Sequence, residues 1–377
     1  MTSQLIDLEY ALTVAPVMGQ FHPLVPLCLS QSVERVSDPY TLLEELDSPT
    51  PHSVRSVIIP HLDTKYVDRF LTLNLLESPP AQLININLPN RIETARQWLL
   101  TNHRVADRII ADVQQHGYDT VILLLVDGLS YADVAHWPER PEPCFIDGPS
   151  ITYSRTSTDQ VDPQVGFPAI INSPPLARRL VEVGIRHQRG YSYWSRAQND
   201  ITETLFAGIP LEKVNGFDEA YEKISQLSQI KGLYIQIVRE GLDGLAHSRR
   251  EISDVEVKAA TEAIHQDLRL LVSFLSKRET HGAVYLIADH GILWKNQHAW
   301  QEINYLNANR PRYTTQISPH SNLTSTFSTD RQTFSLLHYP YLGRSIRAND
   351  SGVHGGLSYW ESIVPFIHLE VAAGVTA

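Results

Sequence analysis

Three short apolar runs, each followed directly or shortly afterwards by an acid, do most to limit what this chain of 377 residues can fold into. Val121–Val126 ends on Asp127, Leu233–Val238 is followed shortly by Asp243, and Ala283–Ala288 ends on Asp289. Runs of this length without polar alternation read as strands buried on both faces, the pattern of parallel sheets. Helices must then cover both faces, so the expected fold class is α/β with a mostly parallel central sheet. In open sheets of this kind, ligands bind beyond the carboxyl ends of the strands. The three acids would gather there, with His247 and His290 close behind in sequence. Oxygen and imidazole donors without thiolates suit hard or borderline divalent ions.

Between the runs the sequence supplies crossovers. Ser253 with Glu256 forms a capping box, and Val257, Ala260, Ile264, Leu268, Leu271 and Leu275 make one apolar stripe, predicting a helix over 254–277. Its position between two of the runs predicts a right-handed βαβ unit. Apolar spacing from Trp98 to Val113 predicts one helix over 93–116, stopped by Gly117. Further helices are expected over 176–183 and from an Asp218 cap to about 228, and a strand over 191–194. Ser362–Ile367 reads as an edge strand, because Pro365 lacks the amide that an interior strand uses. Residues 295–350 are polar and read as an insertion, while the first hundred residues, broken by Pro23, Pro26, Pro39, Pro49 and Pro51, are the least legible.

Charge and cysteine content narrow the function. A formal charge of −11 argues against coating nucleic acid, which needs a basic surface, although a local basic cleft stays compatible with it. Cys28 and Cys144 give no disulfide framework, the N-terminus shows no basic leader, and no run is long enough to span a bilayer. A cytoplasmic protein without a membrane partner is the expectation.

Four short motifs occur in order: Asp127-Gly128, Asp243-x-x-x-His247, Asp289-His290-Gly291 and His354-Gly355-Gly356. Each alone is weak, since an acid after a strand is often a turn former or helix cap. Together they resemble the alkaline phosphatase superfamily, most closely its PglZ-type domains. His354-Gly355-Gly356-Leu357-Ser358 followed by Ile363-Val364-Pro365 is similar to the closing motif of those domains. The resemblance covers roughly 118–372 and implies a three-layer sandwich, with a PglZ-like domain over 106–372 and an N-terminal region over 1–105. It also implies two divalent metal ions, zinc or manganese, clamping a phosphate ester. Asp127, Asp289 and His290 would hold one ion, and Asp243, His247 and His354 the other.

The expected attacking hydroxyl is not where the resemblance puts it. The segment that carries it in related metal-dependent mutases reads Asp162-Pro163-Gln164-Val165-Gly166-Phe167 here, so Pro163 occupies the usual nucleophile position. Three readings stay open. Thr156, Ser157 or Thr158 supplies the hydroxyl from a shifted loop; Asp162 bridges the ions while solvent attacks phosphorus directly; or the site is degenerate. The first two give a phosphomonoesterase or phosphodiesterase. The third gives a PglZ-like binding or assembly component, such as those of phage defence, with a protein partner or a nucleotide as ligand. Arg155, Arg196 and Lys295 are candidate phosphate-binding cations, each equally readable as solvated surface charge. Tyr191, Tyr193 and Trp194 read as core on one strand face or as a stacking platform for a base.

Overall fold

The computed structural model describes Leu24, Leu27, Val33–Arg35, Ser56–Ile58 and residues 86–372, apart from 172–175, 195–198, 304–307, 309 and 317–321. Arg196 lies outside the described residues. The chain divides into two compact units, Met1–Leu99 and Leu100–Ala377. In the first, Val33–Arg35 pairs parallel with Ser56–Ile58, and a 3-10 turn over Leu88–Arg91 leads into a helix over Ile92–Trp98.

The second unit is built on an eight-stranded sheet. Its strands are β1 (Leu100–Thr101), β2 (Thr120–Asp127), β3 (Glu142–Phe145), β4 (His187–Ser192), β5 (Leu211–Lys213), β6 (Leu233–Glu240), β7 (Gly282–Ala288) and β8 (Ile363–Val371). The order across the sheet is β1-β3-β8-β7-β2-β6-β4-β5. All neighbours run parallel except β8, which is antiparallel to both β3 and β7. Every residue of β2 and β7 is buried, inward and outward parities alike, so layers cover both sheet faces. This is the α/β class with a mostly parallel sheet that the three runs predict.

Helix α1 (Val105–His116) ends on Gly117, whose φ of 68° is the left-handed cap expected there. Helix α2 (Asp243–Ser248) follows β6, and α3 (Asp254–Lys277) forms behind the Ser253 capping box and packs on β7, β8 and β2. No helix among the described residues is long and apolar enough to cross a membrane.

Four expectations about elements need correction. The single helix over 93–116 is broken, because Leu99 is extended at φ −101° and ψ 157° and Leu100–Thr101 pair with Cys144–Phe145. Sheet pairing there outweighs helical periodicity. The strand placed at 191–194 runs over His187–Ser192 instead, in register with Leu233–Val238, which leaves Tyr193 and Trp194 beyond its end. Helix Phe217–Ser225 starts from Gly216, with Asp218 in its first turn rather than at the cap. Finally, β8 lies inside the sheet. Pairing with β7 begins one residue after Pro365, at Phe366↔Ile287, so the missing amide falls where that ladder has not started.

Segment 295–350 carries its own three-stranded sheet, with Thr333–Leu337 between Tyr313–Thr314 and Thr324–Ser328. Its base is closed by antiparallel pairing of Leu293–Trp294 with Gly352–Val353. Within it, Arg312 is wholly buried and pairs with the equally buried Glu361, with Arg312 Nε and Nη2 donating to the two carboxylate oxygens at 2.9 and 2.8 Å. The same guanidinium donates to the carbonyls of Leu337, His338 and Tyr341. Glu361 also accepts from the Gly356 amide at 3.0 Å, so this one pair ties the insertion to the loop that carries His354.

Candidate metal centre

Asp127 is the last residue of β2, Asp289 and His290 follow β7, and Asp243 opens α2 after β6. The three strands are adjacent, so their carboxyl ends bring the three acids together. Backbone bonds fix the ends to one another: Leu129 donates to the His290 carbonyl at 2.7 Å and Leu242 to the Gly128 carbonyl at 2.8 Å. Gly128, at φ 81°, allows the close approach. A Cβ there would stand 2.9 Å from the Asp243 nitrogen and 3.2 Å from the His290 ring.

Two groups of donor atoms result, Asp127 with Asp289 and His290, and Asp243 with His290 and His354, each lying within 4.8 Å of one another. His247 joins the second group. Its Nε2 is 3.2 Å from Asp243 Oδ1 and 3.2 Å from His354 Nε2, and His354 Nε2 is 3.2 Å from the same Asp243 oxygen. All six residues named from the motifs therefore meet at one place.

The outer nitrogen of each histidine is held. His354 Nδ1 donates to the Ser150 carbonyl at 2.9 Å, and His290 Nδ1 to the Gly291 carbonyl at 3.1 Å. His247 Nδ1 faces Asp350 Oδ1 at 3.3 Å. Carbonyl and carboxylate oxygens only accept, so Nδ1 of each ring carries a proton and Nε2 is the nitrogen turned inward to the cluster. Two such nitrogens 3.2 Å apart, together with Asp289 Oδ2 buried without a hydrogen-bond partner, form a set of acceptors short of a positive charge.

The electrostatics agree. Burial, with Asp127 beside it, raises the Asp289 carboxyl to about 7 against the pull of His290. Burial works to lower His290, yet Asp289, Asp127 and Asp243 outweigh it and raise the imidazole to about 10. Burial and the neighbouring His290 lower His354. A proton on His290 is what balances the carboxylates when no cation sits among them; a divalent ion answers the same demand more fully.

A hydroxyl stands in this cluster, and it is not at position 163. Thr152 Oγ1 donates to Asp127 Oδ1 at 2.9 Å and lies 3.3 Å from His290 Nε2. Thr152 follows the carboxyl end of β3, the same end of the sheet as the acids. Val165-Gly166-Phe167 does lie beside it: Phe167 donates to the Thr152 carbonyl at 2.9 Å, and Gly166, at φ 65°, has no room for a Cβ against that carbonyl. The motif segment is thus next to the hydroxyl in space while a different stretch of chain supplies it. Asp162 is wholly buried elsewhere, accepting from Thr329 Oγ1 at 2.8 Å, Gln332 Nε2 at 3.3 Å and the Gln164 amide at 3.0 Å. Neither Asp162 nor Pro163 lines the cavity above the cluster. Thr156 and Ser157 do line it, and Thr156 Oγ1 pairs with Thr158 Oγ1 at 2.9 Å.

That cavity has a volume of about 1000 Å³. Its floor includes Asp127, Thr152, Asp243, His247 and His354, and Arg155, Tyr153 and Trp194 border it. Lys295 is exposed and does not line it, and Tyr193 accepts a bond from Arg239 at 2.7 Å instead. Sequence reasoning missed Thr152, Asp350 and Arg312. The only signal for Thr152 was its place after the short apolar stretch Pro143–Ile146, whose proline hid a strand.

No protein-family model and no curated protein matches the sequence. Among solved structures the chain is similar to murine ectonucleotide pyrophosphatase/phosphodiesterase 5, an inactive variant in complex with AMP, at 12% identity and a TM-score of 0.43, over 65% of this chain and 87% of that one. The human ectonucleotide pyrophosphatase/phosphodiesterase 5 matches at 11% identity and a TM-score of 0.43, over 66% and 87%. The C-terminal periplasmic domain of EptC from Escherichia coli, in complex with zinc, matches at 14% identity and a TM-score of 0.28, over 47% and 64%.

Proposed function

We propose that this protein is a two-metal phosphoesterase, hydrolysing a phosphate mono- or diester with Thr152 as the attacking group. The observation that carries the reading is the Thr152 hydroxyl set between Asp127 Oδ1 and His290 Nε2, on the floor of an open cavity. Asp127, Asp289 and His290 would hold one ion and Asp243, His247 and His354 the other, with zinc or manganese the ions that suit three imidazoles and three carboxylates. Ions held there supply Lewis-acid stabilisation of charge on the phosphate and on the attacking oxygen.

The chain's own residues do the rest. Asp127 takes the hydrogen of the Thr152 hydroxyl, which leaves an oxygen lone pair facing the cavity. Attack forms a bond from Thr152 Oγ1 to phosphorus and breaks the bond to the leaving alcohol, which takes a proton from cavity water. The hydroxide left by that water then cleaves the phosphothreonine, Asp127 returns its proton to Thr152 Oγ1, and phosphate or a monoester is released. Asp350, Ser150 and Gly291 keep the three imidazoles in the orientation this needs. The degenerate reading drew its support from Pro163 and loses it once Thr152 takes that role. Assignment to the PglZ branch rests on motif order alone.

Protein stripped with chelator and reloaded with zinc or manganese should retain two ions per chain by elemental analysis and hydrolyse p-nitrophenyl phosphate or its bis-ester. Fewer than two ions would overturn the ligand assignment. Two ions without hydrolysis of either ester would overturn the catalytic one.

A further inference from the structure

Glycines in two of the four motifs take no part in the chemistry of the floor. Gly291 follows His290, and Gly356 stands two residues after His354. One residue grips both. Glu361, wholly buried, accepts the Gly291 amide on its main-chain carbonyl at 2.8 Å and the Gly356 amide on Oε1 at 3.0 Å. Neither approach leaves room for a side chain. A Cβ on Gly291 would overlap the Trp360 carbonyl, and one on Gly356 would stand 2.7 Å from the Arg312 guanidinium. Four donors converge on the carboxylate: the Gly356 amide and Arg312 Nε on Oε1, Arg312 Nη2 and Ser358 Oγ on Oε2. An ionised carboxylate can accept all four, whereas an amide would turn a donor of its own towards two of them. Arg312 carries this frame into the insertion, whose Arg310, Arg344 and Arg347 line the wall of the cavity.

The imidazoles that precede these glycines stack on each other, with ring centroids 3.9 Å apart and planes 7° from parallel. His290 belongs to one ligand set and His354 to the other, so the spacing of the two rings bears on the spacing of the two sets. We propose that Glu361 is a positioning residue of the metal centre, which holds His354 in register with His290 by gripping the Gly291 and Gly356 amides together. The inference rests on the assignment of the six ligands given above. Glu361 bonds to the two loops and not to the ligand atoms, so it acts through the backbone. Only the hold on Gly356 is made by its side chain. Loss of the carboxylate should therefore loosen His354 and spare His290.

Two double variants separate positioning from a merely structural role. Arg312→Leu with Glu361→Gln keeps an acceptor for the Gly356 amide, and Arg312→Leu with Glu361→Leu removes it. Both discard the buried charges together, so neither leaves an ion unpaired. Zinc is titrated into the stripped full chain against a competing chelator, and His354→Ala identifies which dissociation constant belongs to its ion. In the second double that ion should bind at least about tenfold more weakly, while the ion of Asp127, Asp289 and His290 changes by less than about threefold. The first double should hold both ions within about threefold of wild type. Ser358→Ala, which removes one donor to the carboxylate and disturbs the core less, should weaken the His354 ion about threefold, and decides the matter if the second double does not fold. Amide exchange over 352–357 should be faster in the second double than in the first. Equal affinity of the two doubles for the His354 ion overturns the inference, as does equal weakening of both ions or an unchanged Ser358→Ala. Fewer than two ions in wild type would sink the ligand assignment instead. Exchange over 352–357 then decides alone: faster in the second double supports the hold on the loop, and equal rates overturn it.

Discussion

The floor and the wall of the cavity are built on opposite principles. Asp127, Asp289 and His290 sit at the ends of long, fully buried strands, with Asp289 and His290 at 0% exposure, and each imidazole of the floor is held from behind. The wall stands on strands of two to five residues, presents exposed arginines, and is anchored by one buried ion pair. Positions that must hold reacting atoms to within a fraction of an ångström are placed on the most rigid part of the sheet. Positions that only have to attract charge are placed on the periphery, where a shift of an ångström costs little.

The sharpest break of that contrast is Thr152→Ala. Turnover of the bis-p-nitrophenyl ester should fall by about a thousandfold or more, with two ions retained and thermal stability unchanged. Persisting turnover would move the attack to solvent. Arg312→Leu comes next, because it leaves Glu361 buried and uncompensated. Chemical denaturation should register a loss of about 3–5 kcal/mol, and replacing Glu361 by Gln in the same chain should recover part of it. A loss below 1 kcal/mol would mean that the wall is not anchored by this pair.

Asp133 probes the pH response of the floor region. It sits six residues beyond Asp127, half-buried, with Oδ2 lacking a hydrogen-bond partner, and burial raises its carboxyl from 3.8 to about 7. A raised acid is favoured as its neutral form in the folded state, so its contribution is intact below pH 3.8 and is lost as pH climbs towards 7. Asp133→Asn should therefore match wild type at pH 4 and exceed it by about 2 kcal/mol at pH 8. Parallel stability curves at both pH values would show that the carboxylate is hydrated. The smallest effect is expected from Asp350→Asn, the insertion's hold on His247. Metal affinity should fall about tenfold without loss of the fold, as a competing chelator would report. No change would separate wall from floor completely.

Legibility in the sequence follows the same division. The runs of β2, β6 and β7 announce themselves because burial on both faces leaves no polar alternation, and the Ser253 capping box fixes one helix end by local chemistry. Their carboxyl ends point to five of the residues that do converge, and the family resemblance adds His354. What stayed hidden depends on contacts far along the chain. Thr152 follows a strand masked by Pro143, Asp162 looked eligible only through its motif neighbours, and nothing local marks Arg312 as the partner of Glu361. Even Pro365 misled only because its unpaired side is decided by where pairing with the carboxyl end of β7 stops.

Antiparallel pairing of Leu293–Trp294 with Gly352–Val353 places the two ends of the insertion side by side, directly next to His290 and His354. With Asp350 and the Arg312–Glu361 pair kept, the rest of the chain threaded between those ends can vary while the two imidazoles keep their places. Such a clasp makes the rim exchangeable: lineages, or a designer, can fit a new wall to the same floor and so change what the cavity selects without rebuilding the chemistry beneath it.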